Sequence, residues 1–343
     1  MKKLLLLPVL VTTLVLTSAF IPQNYEIGKE RNSNFSENIQ SVIEIESSMV
    51  STEEKMEEKK PEEKKFIKWI EFNPSYQILG RVQKAHVKLV SKGITDIGSC
   101  EILAYLALKN SNRFNIKADT KNLSKLMKEL ESGNRESIDK YEDNKYFKYY
   151  VESYHAVLDG IIDAKSGTII GFHPIAKGFW HTGYSDFGNS RTYGFKRRHL
   201  GHDLYGGVGT PIISMESGTI TELGWNRYGG WRVGIRSEDT KRYYYYAHLR
   251  KDHPYPAHLK IGDKVEAGQV IGYLGQTGYS SKENVNMKTK AHLHFGMQII
   301  FDKSQEDGNG EIWIDVYNIC KFLSANKAKV VKDTETKEYS RVI

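Results

Sequence analysis

The tetrapeptide His292-Leu293-His294-Phe295 constrains the fold more than any other stretch of the chain. Side chains on a β-strand alternate between faces, so His292 and His294 project together while Leu293 and Phe295 enter a core. The flanks read as strand: Met297, Ile299 and Ile300 continue it, and the turn-rich run from Gly275 to Thr289 ends just before it. Two imidazoles on one face can share a metal ion, or one can ligate while the other moves protons. Alone, such a pair is equally compatible with an incidental surface feature. It gains meaning only from further ligands upstream.

Those ligands are present. His199-Leu200-Gly201-His202-Asp203 supplies a histidine and a carboxylate four apart, and Tyr246-Ala247-His248-Leu249 places another histidine at the end of an aromatic strand. Gly201 and the glycine-rich stretch Gly206, Gly207, Gly209 argue against a helix here. His199 is therefore expected to end a loop, with Asp203 in or near the next strand. Two nitrogens and one oxygen, from His199, Asp203 and His294, leave the fourth tetrahedral position of a zinc ion open, the arrangement of a catalytic site. His248 and His292 are left to handle protons. His202, in a strand, would face away from Asp203 and is not expected to ligate.

His199-x-x-x-Asp203, Tyr246-Ala247-His248-Leu249 and His292-Leu293-His294-Phe295, in this order, resemble the lysostaphin/LytM family of zinc endopeptidases. The intervening stretches match too: Gly209-Thr210-Pro211-Ile212, Glu216-Ser217-Gly218-Thr219-Ile220, Gly262-Asp263-Lys264-Val265, Ala267-Gly268-Gln269-Val270-Ile271-Gly272 and Gly275-Gln276-Thr277-Gly278. The resemblance runs from Gly183 to Ile300. It implies a compact antiparallel β-domain with a groove, one Zn2+ ion and cleavage of peptidoglycan peptides. Every ligand and proton-transfer position it calls for is filled. One departure is Gly296-Met297, where relatives often carry an acidic residue. Tyr193 stands near a position where some relatives place a tyrosine on the oxyanion, but packing is the plainer expectation for it.

Around these motifs the chain reads as all-β. Strands are expected at Pro211 to Met215, Thr219 to Trp225, Trp231 to Arg236 and Arg242 to His248, the last two a hairpin around Ser237-Glu238-Asp239-Thr240. In the run Tyr243 to Tyr246, one face should pack inside and the other is free to line a groove or to complete a plain hairpin. Asn226 to Gly230 and Gly278 to Ser281 read as loops flanking that groove.

The fold class is α+β and multidomain: an all-β antiparallel catalytic domain preceded by a small helical domain. Residues 1–22 read as a signal peptide or membrane anchor. Met1-Lys2-Lys3 is a positive n-region, Leu4 to Leu16 an apolar stretch, and Thr17-Ser18-Ala19 a small-residue cleavage site. Continued through Pro22, the run reaches the threshold of a membrane span. Either reading places the enzyme outside the membrane, extracellular or at the cell wall. Residues 23–65 are a charged flexible linker, with Pro61 among mixed Glu and Lys blocks. Residues 66–166 form the helical domain, 167–326 the peptidase domain with its motif core at 183–300 and a C-terminal helix, and 327–343 a tail.

Within 66–166, Asp96 or Ser99 is the expected cap of a helix with Ile102, Leu103, Leu106 and Ala107 on its apolar stripe. Further helices are expected at Thr120 to Glu131 and Tyr146 to Ile162. Cys100 and Cys320 are the only cysteines, both on apolar helix stripes, and read as two buried thiols rather than a disulfide. The net charge of +7 and pI near 9.0 suit an anionic setting. No nucleic-acid motif accompanies them, so peptidoglycan and anionic wall polymers are the expected partners. Contact with a membrane is expected only through the N-terminus, and no oligomeric state is indicated. The competing reading is a catalytically silent wall-binding or scaffold module that activates or partners another cell-wall complex. The complete ligand set favours the enzyme.

Overall fold

A computed structural model of the chain describes residues 66–192 and 196–342. The expected signal segment, the linker and Tyr193 lie outside the described residues. All described residues fall in one compact unit, so the change from helices to strands occurs inside it.

The helical part opens with α1 (Tyr76–Ser91), whose buried Ile78, Leu79, Val82, Ala85, His86 and Leu89 recur at helical spacing. Among its polar neighbours that stripe was not recognised in the sequence. Helix α2 (Ser99–Lys109) is apolar nearly all round and is the buried centre of this part, with Ile102 to Ala107 inaccessible. Gly98, not Asp96 or Ser99, is its N-cap; the Glu101 carboxylate accepts from the Gly98 N–H at 2.8 Å. Helix α3 (Ile116–Glu131), the single turn α4 (Glu136–Asp139) and α5 (Lys145–Leu158) follow. Asn115 and Asn144 cap α3 and α5 through their side-chain oxygens.

The strands are β1 (His181–Thr182), β2 (Ser190–Thr192), β3 (Lys196–Arg198), β4 (His202–Gly206), β5 (Pro211–Ile213), β6 (Gly218–Asn226), β7 (Gly230–Ser237), β8 (Arg242–Ala247), β9 (Lys264–Val265), β10 (Val270–Tyr273), β11 (His292–Ile299) and β12 (Ile312–Trp313). The main sheet is antiparallel, in the order β1-β4-β11-β8-β7-β6-β9, with β12 on the distal half of β11. Its register decides the site. His294 pairs with Asp203 of β4 on one side and with Ala247 of β8 on the other, so three motifs distant in sequence become neighbours. The same alternation buries Leu293 and Phe295 together with Tyr244 and Tyr246.

After the sheet come α6 (Tyr317–Phe322) and a hairpin of β13 (Val330–Lys332) and β14 (Tyr339–Arg341). The expected tail is therefore partly ordered: Ala328 enters a small core with Ile213 and Tyr273, and the Tyr339 N–H donates to the Tyr273 hydroxyl at 3.2 Å. Cys100 and Cys320 are both free and buried.

Helices and sheet are joined by a polar clamp as well as by a common core. The buried Arg242 guanidinium donates to Glu216 at 2.8 and 2.9 Å, to Asp239 at 2.8 Å and to the Ala156 carbonyl near the end of α5 at 2.9 Å. The Tyr244 hydroxyl donates to the same Glu216 carboxylate at 2.6 Å. Gly160 makes room for it, since a Cβ there would lie 2.1 Å from the Glu216 carboxyl carbon.

Behind β4, His173, His181, His202 and Cys320 line a cavity of about 250 Å³. Burial holds His173 well below its ordinary range, aided by the nearby His181 and Lys327, and lowers His202 to about 4. These groups are neutral in the fold and free to charge in the unfolded chain. Their contribution is complete above about pH 6.5 and is lost as pH falls below it, by up to about 1.4 kcal/mol per unit per group. The denaturant midpoint should therefore drop between pH 7.5 and pH 5, less steeply in His173→Gln; equal slopes would contradict this assignment.

Candidate metal centre and groove

His199 follows β3 directly, Asp203 and His202 sit on β4, His248 follows β8, and His292 and His294 open β11. His199 Nε2, Asp203 Oδ1 and His294 Nδ1 form a closed triangle with edges of 3.0, 2.9 and 3.1 Å. The other ring nitrogens fix what these atoms present. His199 Nδ1 faces two acceptors of Asp186, the backbone carbonyl at 3.3 Å and the carboxylate at 3.2 Å, and so carries its proton there. Its Nε2 then presents a lone pair towards a carboxylate oxygen and another imidazole. The three donor atoms are spaced to share one cation. Tetrahedral bonds of 2.0–2.1 Å space ligand atoms about 3.3 Å apart, within a few tenths of an ångström of this triangle. The residues present fit a zinc ion.

His248 and His292 flank the triangle with ring centroids 4.8 Å apart. The Nδ1–H of His248 donates to the Thr277 carbonyl and that of His292 to the Lys290 carbonyl, both at 2.8 Å. Each Nε2 is thereby left with a lone pair, and that of His292 lies 3.8 Å from Asp203 Oδ1. His248 has a left-handed backbone (φ 61°), a costly conformation held by the sheet on one side and Thr277 on the other. Burial, together with His292 and His294, pushes His248 well below its ordinary range, so it is neutral at pH 7. Burial alone would raise Asp203; the surrounding imidazoles of His199, His294 and His292 outweigh that and hold its carboxyl well below the usual carboxylate range.

His202 lies on the opposite face of β4, its ring edge-on to Tyr317 at 5.3 Å, away from the triangle as its register demands. Gly201 is required for contact rather than conformation: a Cβ there would come within 2.6 Å of the His294 ring. Gly296 carries the Trp313 ring, 2.7 Å from where its Cβ would stand, which leaves no room for an acidic side chain at that position. Two supporting residues were not evident in the sequence. Asp186, buried, orients His199, and Arg191 pairs with Asp186 and lies 3.5 Å from Asp203 Oδ2. Both precede the first motif, Asp186 in the loop before β2 and Arg191 on β2, and neither has a spacing signal of its own.

The triangle lies in a groove of about 310 Å³ whose walls include Tyr228, Tyr245, Tyr279 and Trp313, with Arg197 and Arg198. Tyr245 faces the groove while its neighbours Tyr244 and Tyr246 pack inside. Arg197 stacks on Tyr279 at 4.8 Å and reaches its hydroxyl, fastening β3 to the loop after β10.

Residues 197–307 match the model of peptidase family M23. The chain carries a peptidase family M23 domain. An L-Ala–D-Glu endopeptidase of Bacillus subtilis is 41% identical over 113 residues, 33% of this chain and 33% of that protein. Lysostaphin of Staphylococcus staphylolyticus is 41% identical over 98 residues, 28% of this chain and 18% of its own length. The catalytic domain of lysostaphin from Staphylococcus simulans has 31% identity, with a TM-score of 0.32 over 41% of this chain and 92% of that domain. The chain thus spans a third or less of the two curated relatives, and the similarity rests on the M23 domain. The helices before that domain lie outside the family match.

Proposed function

We propose that the chain is an exported zinc metalloendopeptidase that hydrolyses peptide bonds of bacterial peptidoglycan, in the stem peptide or the cross-bridge. The observation that carries this reading is the triangle of His199, Asp203 and His294 donor atoms, each pair within 3.1 Å, beside two imidazoles whose free nitrogens face the same groove. In this reading those three residues hold one zinc ion, which supplies Lewis-acid polarisation of the scissile carbonyl and acidifies a water molecule.

The chain's own residues do the rest. One of His248 and His292 takes the proton of the attacking water at its Nε2 lone pair, and the other, in its imidazolium form with a proton on Nε2 as well, donates to the oxygen on which negative charge develops. The Thr277 and Lys290 carbonyls hold the Nδ1–H of each ring and so turn both Nε2 atoms to the reacting groups. Asp186 does the same for His199 from behind the metal position. The aromatic walls hold an extended peptide across the site and displace water from it. Relatives named for peptidoglycan bonds support the substrate class, and the N-terminal apolar segment with the net charge of +7 supports an extracellular, wall-associated setting. Incubating the full chain with purified peptidoglycan should release new amino groups, stop with chelator and resume with added zinc. Wall binding without amine release, with zinc present, would contradict the enzyme reading and leave the binding module.

A further inference from the structure

A second cluster of metal-binding side chains lies in the helical part, outside the M23 match. Cys100, in the first turn of α2, and His155 and Asp159, at and beyond the last turn of α5, bring one donor atom each to within 4.8 Å of one another. They border a cavity of about 90 Å³ that is also lined by His86 of α1, Gly98 and Glu101.

Two features of this cavity need an occupant. His86 is 1% exposed; its Nδ1 accepts from the Ser99 N–H at 3.2 Å, so its Nε2 carries the ring proton, buried with no hydrogen-bond partner. An unpaired buried ring nitrogen is costly. Gly98 keeps the space open: a Cβ there would lie 3.1 to 3.4 Å from the His86 ring and 3.2 Å from Glu101 Oε2. An ion triad of Glu101, His155 and Asp159, with the Cys100 thiol also against His155, leaves the buried Nε2–H of His86 without an acceptor.

We propose that Cys100, His155 and Asp159 form a second metal site, for a zinc-like divalent ion that staples α2 to α5, with the Nε2–H of His86 facing its remaining position. The donor set of sulfur, nitrogen and carboxylate oxygen is one that zinc takes, with a fourth position left for a solvent oxygen. His155 is oriented for it: Nε2 lies 3.0 Å from Glu101 Oε1 and donates to it, leaving Nδ1 for the metal beside Asp159 Oδ1 at 2.7 Å. Glu101 is itself fixed by the Gly98 N–H. Metal entry converts the Cys100 thiol to thiolate and releases its proton to solvent. Without a cation, burial pushes that thiol up to about 11, in keeping with a group that ionises only when a metal arrives.

Cobalt(II) separates this site from the M23 centre, because only the former offers sulfur. The full chain titrated with cobalt should develop a near-ultraviolet thiolate-to-cobalt band, and so should His294→Ala. The band should vanish in Cys100→Ser and persist in Cys320→Ser. Gly98→Ala keeps every ligand and a compatible backbone but fills the cavity, so it should weaken cobalt uptake at this site at least tenfold. Absence of the band in the full chain, its survival in Cys100→Ser, or unchanged cobalt affinity in folded Gly98→Ala would overturn the proposal.

Discussion

His292→Ala should bind zinc at the M23 centre as the wild-type chain does and lose about 10²–10⁴-fold in turnover. His294→Ala should lose both metal at that centre and activity. The two side chains stand two apart on one face of β11, yet the register separates their duties. His294 is opposite Asp203, and its Nδ1 closes the triangle with His199. His292 points its Nε2 to the same groove from 3.8 Å away, with Nδ1 spent on Lys290. Removing a ligand breaks the donor set, whereas removing His292 takes a proton carrier from an intact one. Zinc content measured alongside amine release distinguishes the cases. An equal fall in metal content in both variants would contradict the division.

Arg242→Ala should be the most damaging change away from the site. The guanidinium is 2% exposed and holds Glu216, Asp239 and the Ala156 carbonyl, and so ties β8 to the turn before β6 and to the end of α5. Truncation strands a largely buried carboxylate and a backbone acceptor, a loss of about 3–5 kcal/mol. Against a typical total of roughly 5–15 kcal/mol this lowers Tm by on the order of 10 °C. Arg242→Lys keeps the charge but not the fork and should fall between the two. A shift of less than about 2 °C in Arg242→Ala would remove the clamp from this account.

The convergence of His199, Asp203 and His294 was legible in the sequence because these residues obey local rules. A two-residue period places His292 and His294 on one face, glycine before Asp203 excludes a helix, and an aromatic strand leads to His248. The strand boundaries around Arg242 and Trp231 followed from the same alternation. What escaped was set by tertiary contact. Asp186 and Arg191 act on His199 from a loop and a short strand with no pattern, and Glu216 reads as a turn residue until Arg242 reaches it. The boundary expected near residue 166 is a change of element type inside one compact unit, because the helices bury their apolar stripes in a core shared with the sheet. Gly98 carries no cap signal in the sequence because its capping partner is a side chain three residues later, not its own.

The central claim is that the groove hydrolyses peptide, and mass spectrometry of the soluble products from peptidoglycan digested with the full chain tests it most directly. The account predicts fragments with newly freed peptide termini and intact glycan linkages, absent after chelation and absent with His294→Ala. Fragments produced by glycan cleavage, or peptide products that persist unchanged in His294→Ala, would contradict it.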